Sequence, residues 1–218
     1  MANTDTEFEY PQSKEDLNGL YKEAEFYKID GLKENFSSFK DSLILNRSES
    51  IDLIKLCGFS SKEKWKLLYR ASTDGFDARA FHAKCDRMSN TLSIIKTTQS
   101  FVFGGYADVE WNSTDTWKMD LNSFVFSLIN KENKPIKIKF DASSGKHSIY
   151  CGFSYCMTFG NDHSIYISDN SNLNTASYSN LGGSFKHPEF EYNSNEARTF
   201  LAGSFNFQVE EIEVYRKI

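Results

Sequence analysis

Proline is scarce, three residues in 218, too few for a proline-rich linker or a low-complexity stalk. Cysteine is scarce as well. Cys57, Cys85, Cys151 and Cys156 cannot supply the disulfide framework of a small secreted domain. Cys151 and Cys156 stand wider apart than a CxxC pair, and no second pair completes a zinc tetrahedron, so neither a metal nor a cofactor site is expected. No apolar run reaches the ~18 residues of a membrane-crossing helix. The opening MANTDTEFEYPQSKEDL has neither the basic start nor the apolar stretch of a secretion signal. The chain therefore reads as cytoplasmic, peripheral to membranes only through a protein partner, and the Asn-x-Ser/Thr triplets at Asn35, Asn46 and Asn112 carry no weight.

An excess of basic charge is missing too. The net charge is −5, and residues 1–40 hold nine acids against five bases, while the remainder holds 21 against 20. A nearly neutral body offers no electrostatic footprint for nucleic acid or an anionic membrane.

What the chain has is aromatic residues, 15% of its length with 19 Phe, 11 Tyr and 3 Trp, a balance that favours many strands. Leu, Ile, Val and Phe make up 53 of 218 residues, enough for a real core. Ser13 caps a helical pattern, with Leu17, Leu20, Tyr21, Ala24 and Tyr27 on one stripe, that Gly31 stops. Alone such a helix cannot bury its stripe, so it must dock on something. Residues 35–49 read as a connector, which divides the chain into an acidic extension, 1–40, and a main domain, 41–218. Helices are expected over 61–70 and over 77–85. From Thr91 the apolar period changes to two, with strands expected at 91–97, 101–103, 123–129, 135–140, 148–151, 155–159 and 164–168. Residues 169–180 read as a surface loop. Phe205, Phe207 and Val209 alternate, then parity slips to Ile212 and Val214, which requires a bulge at Glu210 and Glu211. The fold class is α+β and β-rich, a sandwich of two antiparallel sheets with flanking helices plus the N-terminal amphipathic helix. Phe101, Phe103, Phe124, Phe126, Phe159, Phe205 and Phe207 are expected to fill its core.

Chemistry-bearing motifs are thin. Gly104-Gly105 and Gly182-Gly183-Ser184 lack phosphate-loop spacing and read as turns. Gly152-Phe153-Ser154-Tyr155-Cys156 lacks the last glycine of a nucleophile elbow. Asn170, Asn172 and Asn174 fail the EF-hand pattern, with Thr175 where glycine and Leu181 where glutamate belong. His82 and Cys85 share a short helix but fit core packing better than metal ligation. His147, His163 and His187 are scattered, and any of them beside a carboxylate would titrate near neutrality.

One ordered series is specific. Trp65 to Phe76 (WKLLYRASTDGF), Phe81-His82-Ala83-Lys84-Cys85-Asp86, Thr91 to Lys96, Phe103-Gly104-Gly105-Tyr106, Trp111, Phe124 to Leu128, Thr158-Phe159-Gly160, Ile165 to Asp169, Ser177 to Gly182 and Leu201-Ala202-Gly203-Ser204 through Val214 resemble a TLDc domain. Leu20 to Leu32 resembles the last helices of a BTB domain of the potassium-channel tetramerisation type, without the strands and helices that form that fold's oligomer interface, so self-association by that route is not expected.

The TLDc resemblance implies a two-sheet sandwich, a role in resistance to oxidative stress and, as in several members, binding to the peripheral sector of the vacuolar-type proton pump. It implies no catalytic constellation. Asp74, Trp111, Asp169 and Glu213 become candidate exposed partner-binding residues, against a helix cap for Asp74 and an outward strand position for Glu213. Gly104, Gly105, Gly160 and Gly203 become backbone-shaping glycines. Two alternatives stand beside the interaction module: a thiol-dependent peroxide scavenger centred on Cys85, which Lys84 precedes, and a scaffold acting through the BTB-like helix.

Overall fold

The computed structural model describes residues 38–144 and 146–218, together with Asp16, Gly19, Leu20, Lys22, Glu23, Phe26 and Tyr27. The amphipathic helix expected between residues 13 and 31 lies largely outside them, although the first six of those seven residues are helical.

Two six-stranded antiparallel sheets form a sandwich. The first comprises, in spatial order, β1 (Trp65–Arg70), β12 (Val209–Lys217), β2 (Thr91–Thr97), β3 (Val102–Ala107), β5 (Phe124–Ile129) and β6 (Ile136–Lys139). The second runs β11 (Asn206–Phe207), β10 (Ser177–Ser179), β9 (Ile165–Ile167), β8 (Met157–Phe159), β7 (Ile149–Cys151) and β4 (Thr116–Lys118). Phe103, Val125, Ile212 and Val214 meet Ile149, Phe159, Ile165 and Phe207 in the core between the sheets. A second apolar cluster buries the outer face of the first sheet: Leu92, Ile94, Phe124, Phe126 and Tyr215 pack under Phe39, Leu45, Leu53 and Ile54. Burial on both faces is why β2 and β3 read as almost continuously buried runs.

The cover over that outer face includes the helix α1 (Arg47–Cys57), which was not expected from the sequence. Its start is a capping box: the Asn46 side chain accepts from the Glu49 amide at 3.0 Å and Glu49 returns the bond to the Asn46 amide at 2.8 Å. Gly58 ends it in the left-handed region at φ 71°. Just before it, Phe39 holds a left-handed φ of 59° while its ring is buried against Trp65 and Tyr215, centroids 5.6 and 4.8 Å away. An aromatic residue adopts that backbone at a cost of about 1–2 kcal/mol, which burial of the ring offsets.

The helix expected over 61–70 is instead β1. Trp65 and Leu67 face the outer cluster; the pairing with β12 then shifts between Leu67 and Tyr69, and Tyr69 faces the inter-sheet core. The short helices α2 (Ala71–Asp74) and α3 (Ala78–Cys85) follow, the second capped by Asp77. Besides α1 and α2, the elements with no expected counterpart are β4, β10, which lies inside the expected loop, the 3-10 turn Ala142–Ser144, and α4 (Asn195–Thr199), capped by Ser194.

Gly104 and Gly105 are interior to β3 rather than a turn. A Cβ on Gly105 would stand 2.6 Å from the Phe159 ring, and one on Gly104 would overlap the Ser93 carbonyl. Gly160 and Gly203 take φ of 82° and 77°, as their structural role requires. The C-terminal bulge is present: pairing with β2 skips from Val209 to Glu211, leaving Glu210 extra. The chain also changes sheets between β11 and β12, so these strands are not partners. Phe205 is not core, with 37% of its surface exposed, and Phe101 is only half-buried.

Candidate interaction site

At the start of α3, Asp77 and Asp169 both serve backbone amides. Asp77 accepts from Ala80 at 3.0 Å and Asp169, reaching over from the loop after β9, accepts from Ala78 at 2.7 Å. Two carboxylates therefore satisfy the orphan N–H groups of this helix end and oppose its positive dipole. Beside them opens a cleft of about 670 Å³, lined by Asp77, Arg79, His82, Ser113, Phe153 and Asp169 among others. Phe153, 61% exposed, is its apolar wall and comes from the turn between β7 and β8.

The floor of the cleft is a closed polar network. His82 is buried; its Nδ1 lies 2.7 Å from Asp86, and its Nε2 faces the Gly152 and Tyr155 carbonyls at 2.9 and 3.0 Å. With an oxygen against each ring nitrogen, the imidazole pins α3 to the β7–β8 turn. The Ser113 hydroxyl donates to the other Asp86 oxygen at 2.6 Å. The order is hydroxyl, carboxylate, imidazole; in a hydrolytic triad the imidazole stands between the other two and takes the proton. This arrangement does not activate Ser113. Ser154 belongs to a turn with no helix after it, unlike a nucleophile elbow.

Asp74 closes α2 instead of capping the helix that follows. It pairs with Lys84 at 2.8 Å and accepts from the Arg70 amide at 3.0 Å. Partial desolvation pushes its carboxyl upward, but these bonds and the two cations outweigh it and hold the group below the usual carboxylate range.

Two of the four candidate contact residues are interior. Trp111 is fully buried, edge-on to Phe81 and Phe159, with its indole N–H donating to Thr91 at 2.8 Å. Glu213 is also fully buried and is neither a surface contact nor an outward strand residue. It accepts from Arg70 Nε and Nη2 at 2.9 and 2.7 Å, from the Ser42 hydroxyl at 2.5 Å, from the Leu43 amide at 2.8 Å and from the Tyr215 hydroxyl at 3.0 Å. Arg70 also donates to the Asp41 carbonyl. The acid on the last strand thus ties residues 41–43 to the body. Arg70 and Ser42 were missed because nothing in one sequence pairs positions 143 and 171 residues away with Glu213. Asp169 alone of the four is exposed at the cleft.

All four cysteines are buried and unpaired in disulfides. Burial pushes the Cys57 and Cys156 thiols up to about 12 and Cys85 higher still, the nearby Asp86 adding to the effect at Cys85. Lys84 beside Cys85 turns outward to Asp74. Among the described residues no cluster of three His, Cys, Asp or Glu side chains could hold a metal ion, and no helix is long and apolar enough to cross a membrane.

Fold and site together define a β-sandwich whose polar clusters brace backbone and whose exposed features are a cleft and sheet surfaces, the attributes of a protein-interaction domain. The family model of the TLDc domain matches residues 38–217, so the chain belongs to the TLDc family. A search of curated proteins returned no match.

Proposed function

We propose that this protein is a non-enzymatic interaction module that contributes to oxidative-stress resistance by binding the peripheral sector of the vacuolar-type proton pump. Membership of the TLDc family over residues 38–217 carries this reading. The site supports it by offering recognition features rather than a reactive group: an exposed Phe153 and Asp169 at the mouth of the cleft, and thiols held protonated by burial. The test is affinity capture with the full chain from lysates in which the pump is assembled and from lysates in which it is dissociated, read by mass spectrometry. Recovery of peripheral-sector subunits, weakened by Phe153→Ala, supports the reading; their absence under both conditions overturns it. The scavenger alternative requires a thiolate, and Cys85→Ser consuming peroxide as slowly as the wild type would end it.

A further inference from the structure

The outer face of the second sheet carries a row of side chains in direct register across five strands. Trp117 on β4 pairs with Tyr150 on β7, Tyr150 with Thr158 on β8, Thr158 with Tyr166 on β9, and Tyr166 with Tyr178 on β10. Their neighbours Ile149, Met157, Phe159, Ile165 and Ile167 point into the inter-sheet core, so the row points away from it. Tyr155, from the β7–β8 turn, fills the place above the small Thr158, with its ring centroid 6.0 Å from Tyr150 and 5.1 Å from Tyr166. Trp117 to Tyr150 is 4.6 Å, Tyr166 to Tyr178 is 4.9 Å, and Tyr178 to Phe205 at the far edge is 5.3 Å. The strip is continuous, and every ring in it keeps some solvent exposure.

An antiparallel sheet face turned to water ordinarily alternates to polar residues; this one presents aromatic rings, with charge only at its margins, where the Asp115 carboxylate lies 3.4 Å from the Tyr150 hydroxyl and the Arg198 guanidinium 5.1 Å from the Phe205 centroid. His163, which packs on Tyr166 and accepts or donates with the Tyr178 hydroxyl at 2.5 Å, has its imidazolium disfavoured by burial. Nucleic acid, phosphate or an anionic membrane needs Lys and Arg interleaved with the rings, and the row holds none. The spacing selects among uncharged ligands. Strands lie about 4.8 Å apart, which puts Tyr150 and Tyr166, two strands removed, about 9.6 Å apart. A polyproline II helix rises about 3.1 Å per residue with three residues per turn, so it presents the same face every ~9.3 Å. Laid across the strands, it stays in step with the ridges, and the four strand intervals from β4 to β10, about 19 Å, accommodate roughly six residues. Its carbonyls make no internal hydrogen bonds, and the hydroxyls of Tyr155 and Tyr166 are donors for them, whereas those of Tyr150 and Tyr178 already meet Asp115 and His163.

We propose that this aromatic strip is the docking site for a proline-rich polyproline II segment of a partner protein. Pro11, Pro135 and Pro188 stand alone and form no PxxP, so these 218 residues do not themselves supply such a segment. The inference does not depend on the proton pump as partner, and the two tests fail separately.

The experiment is isothermal titration of the 218-residue protein with blocked decaproline, a ten-residue Gly-Ser peptide and maltohexaose, with sedimentation recorded in parallel. Saturable binding of decaproline alone is expected, weakened tenfold or more by Tyr150→Ala and by Tyr166→Ala and unchanged by Leu121→Ala, an exposed residue off this face. Should an alanine variant fail to fold, amide and ring shifts of the wild type decide: decaproline must move Tyr150, Tyr166 and Tyr178 and leave Trp65 unmoved. Lack of saturable binding, or binding indifferent to both tyrosines, overturns the proposal. So does tyrosine-dependent binding of maltohexaose in place of decaproline, or tyrosine-dependent self-association that the peptide does not compete.

Discussion

Removing Arg70 strands a buried carboxylate. Glu213 has no exposed surface, and in Arg70→Ala it keeps only three neutral donors, from Ser42, Leu43 and Tyr215. Breaking a buried ion pair by deleting one partner costs about 3–5 kcal/mol. The Arg70 side chain is 16% exposed, so water enters the vacated space and the lower end, ~3 kcal/mol, is expected. In a domain of this size 1 kcal/mol moves the melting temperature by about 2–4 °C, so Arg70→Ala should melt roughly 6–12 °C lower. Glu213→Gln should cost less, because Arg70 is close enough to the surface to turn toward solvent. The double variant should fall short of the sum of the singles, because once the carboxylate is neutral the loss of Arg70 no longer leaves a charge unpaired. Urea unfolding supplies the free energies. Hydrogen exchange at Leu43, whose amide donates to Glu213 at 2.8 Å, reports whether residues 41–43 have come away. Strictly additive variants, or an Arg70→Ala within about 0.5 kcal/mol of wild type, would refute the account of Glu213 as the tie between this segment and the body.

Gly105→Ala puts a methyl group into the Phe159 ring and should destabilise the protein by about 1–3 kcal/mol in urea unfolding; an unchanged midpoint would mean that the sheets are less closely packed there. Ellman's reagent at pH 8 should leave all four thiols of the native protein essentially unreacted over minutes and titrate all four in denaturant; a fast-reacting native Cys85 would restore the scavenger reading. Burial lowers the folded values of His163 and His187 below the ordinary 6.5, so unfolding binds protons as the pH drops. Their stabilising contribution is whole above about 6.5 and is lost as pH falls from there through the lowered folded values, so the urea midpoint should be lower at pH 5.5 than at 7.5, and less so in His187→Gln.

Much of the sandwich was legible because strand period is a local property. The bulge at Glu210 could be read from Val209 and Ile212 alone, since residues three apart share a sheet face only if one extra residue intervenes. Residues 65–70 misled because WKLLYR satisfies a short helical pattern as well as an alternating one; five residues of β12, Glu213 to Lys217, settle the matter by pairing with it, and a bulge at Leu68 lets Tyr69 reach the core. The Asn46-to-Glu49 capping box was visible and overlooked. At the site, the TLDc resemblance singled out the backbone-shaping glycines, but nothing along the chain separated exposed acids from buried ones. Asp169 and Glu213 look equivalent along the chain, one after a strand and one within a strand. Only the fold reveals that the first faces the cleft while the second meets Arg70, 143 residues away.

The two sheets treat their outer faces in opposite ways, and that asymmetry limits where a partner can bind. Residues 39–57 bury the outer face of the first sheet and are fastened there by the Glu213 network and by the Phe39 ring. A partner seeking that face would have to displace several buried aromatic contacts and strand the charge of Glu213, a cost of several kcal/mol before any gain. The second sheet asks for no such displacement: its rings are already partly in water and rigid, and its four tyrosines carry hydroxyls at their tips, so contact area comes at little entropic cost. Most of the net acidic charge lies before residue 41 and the body is near neutral, so binding on the aromatic strip should depend only weakly on ionic strength.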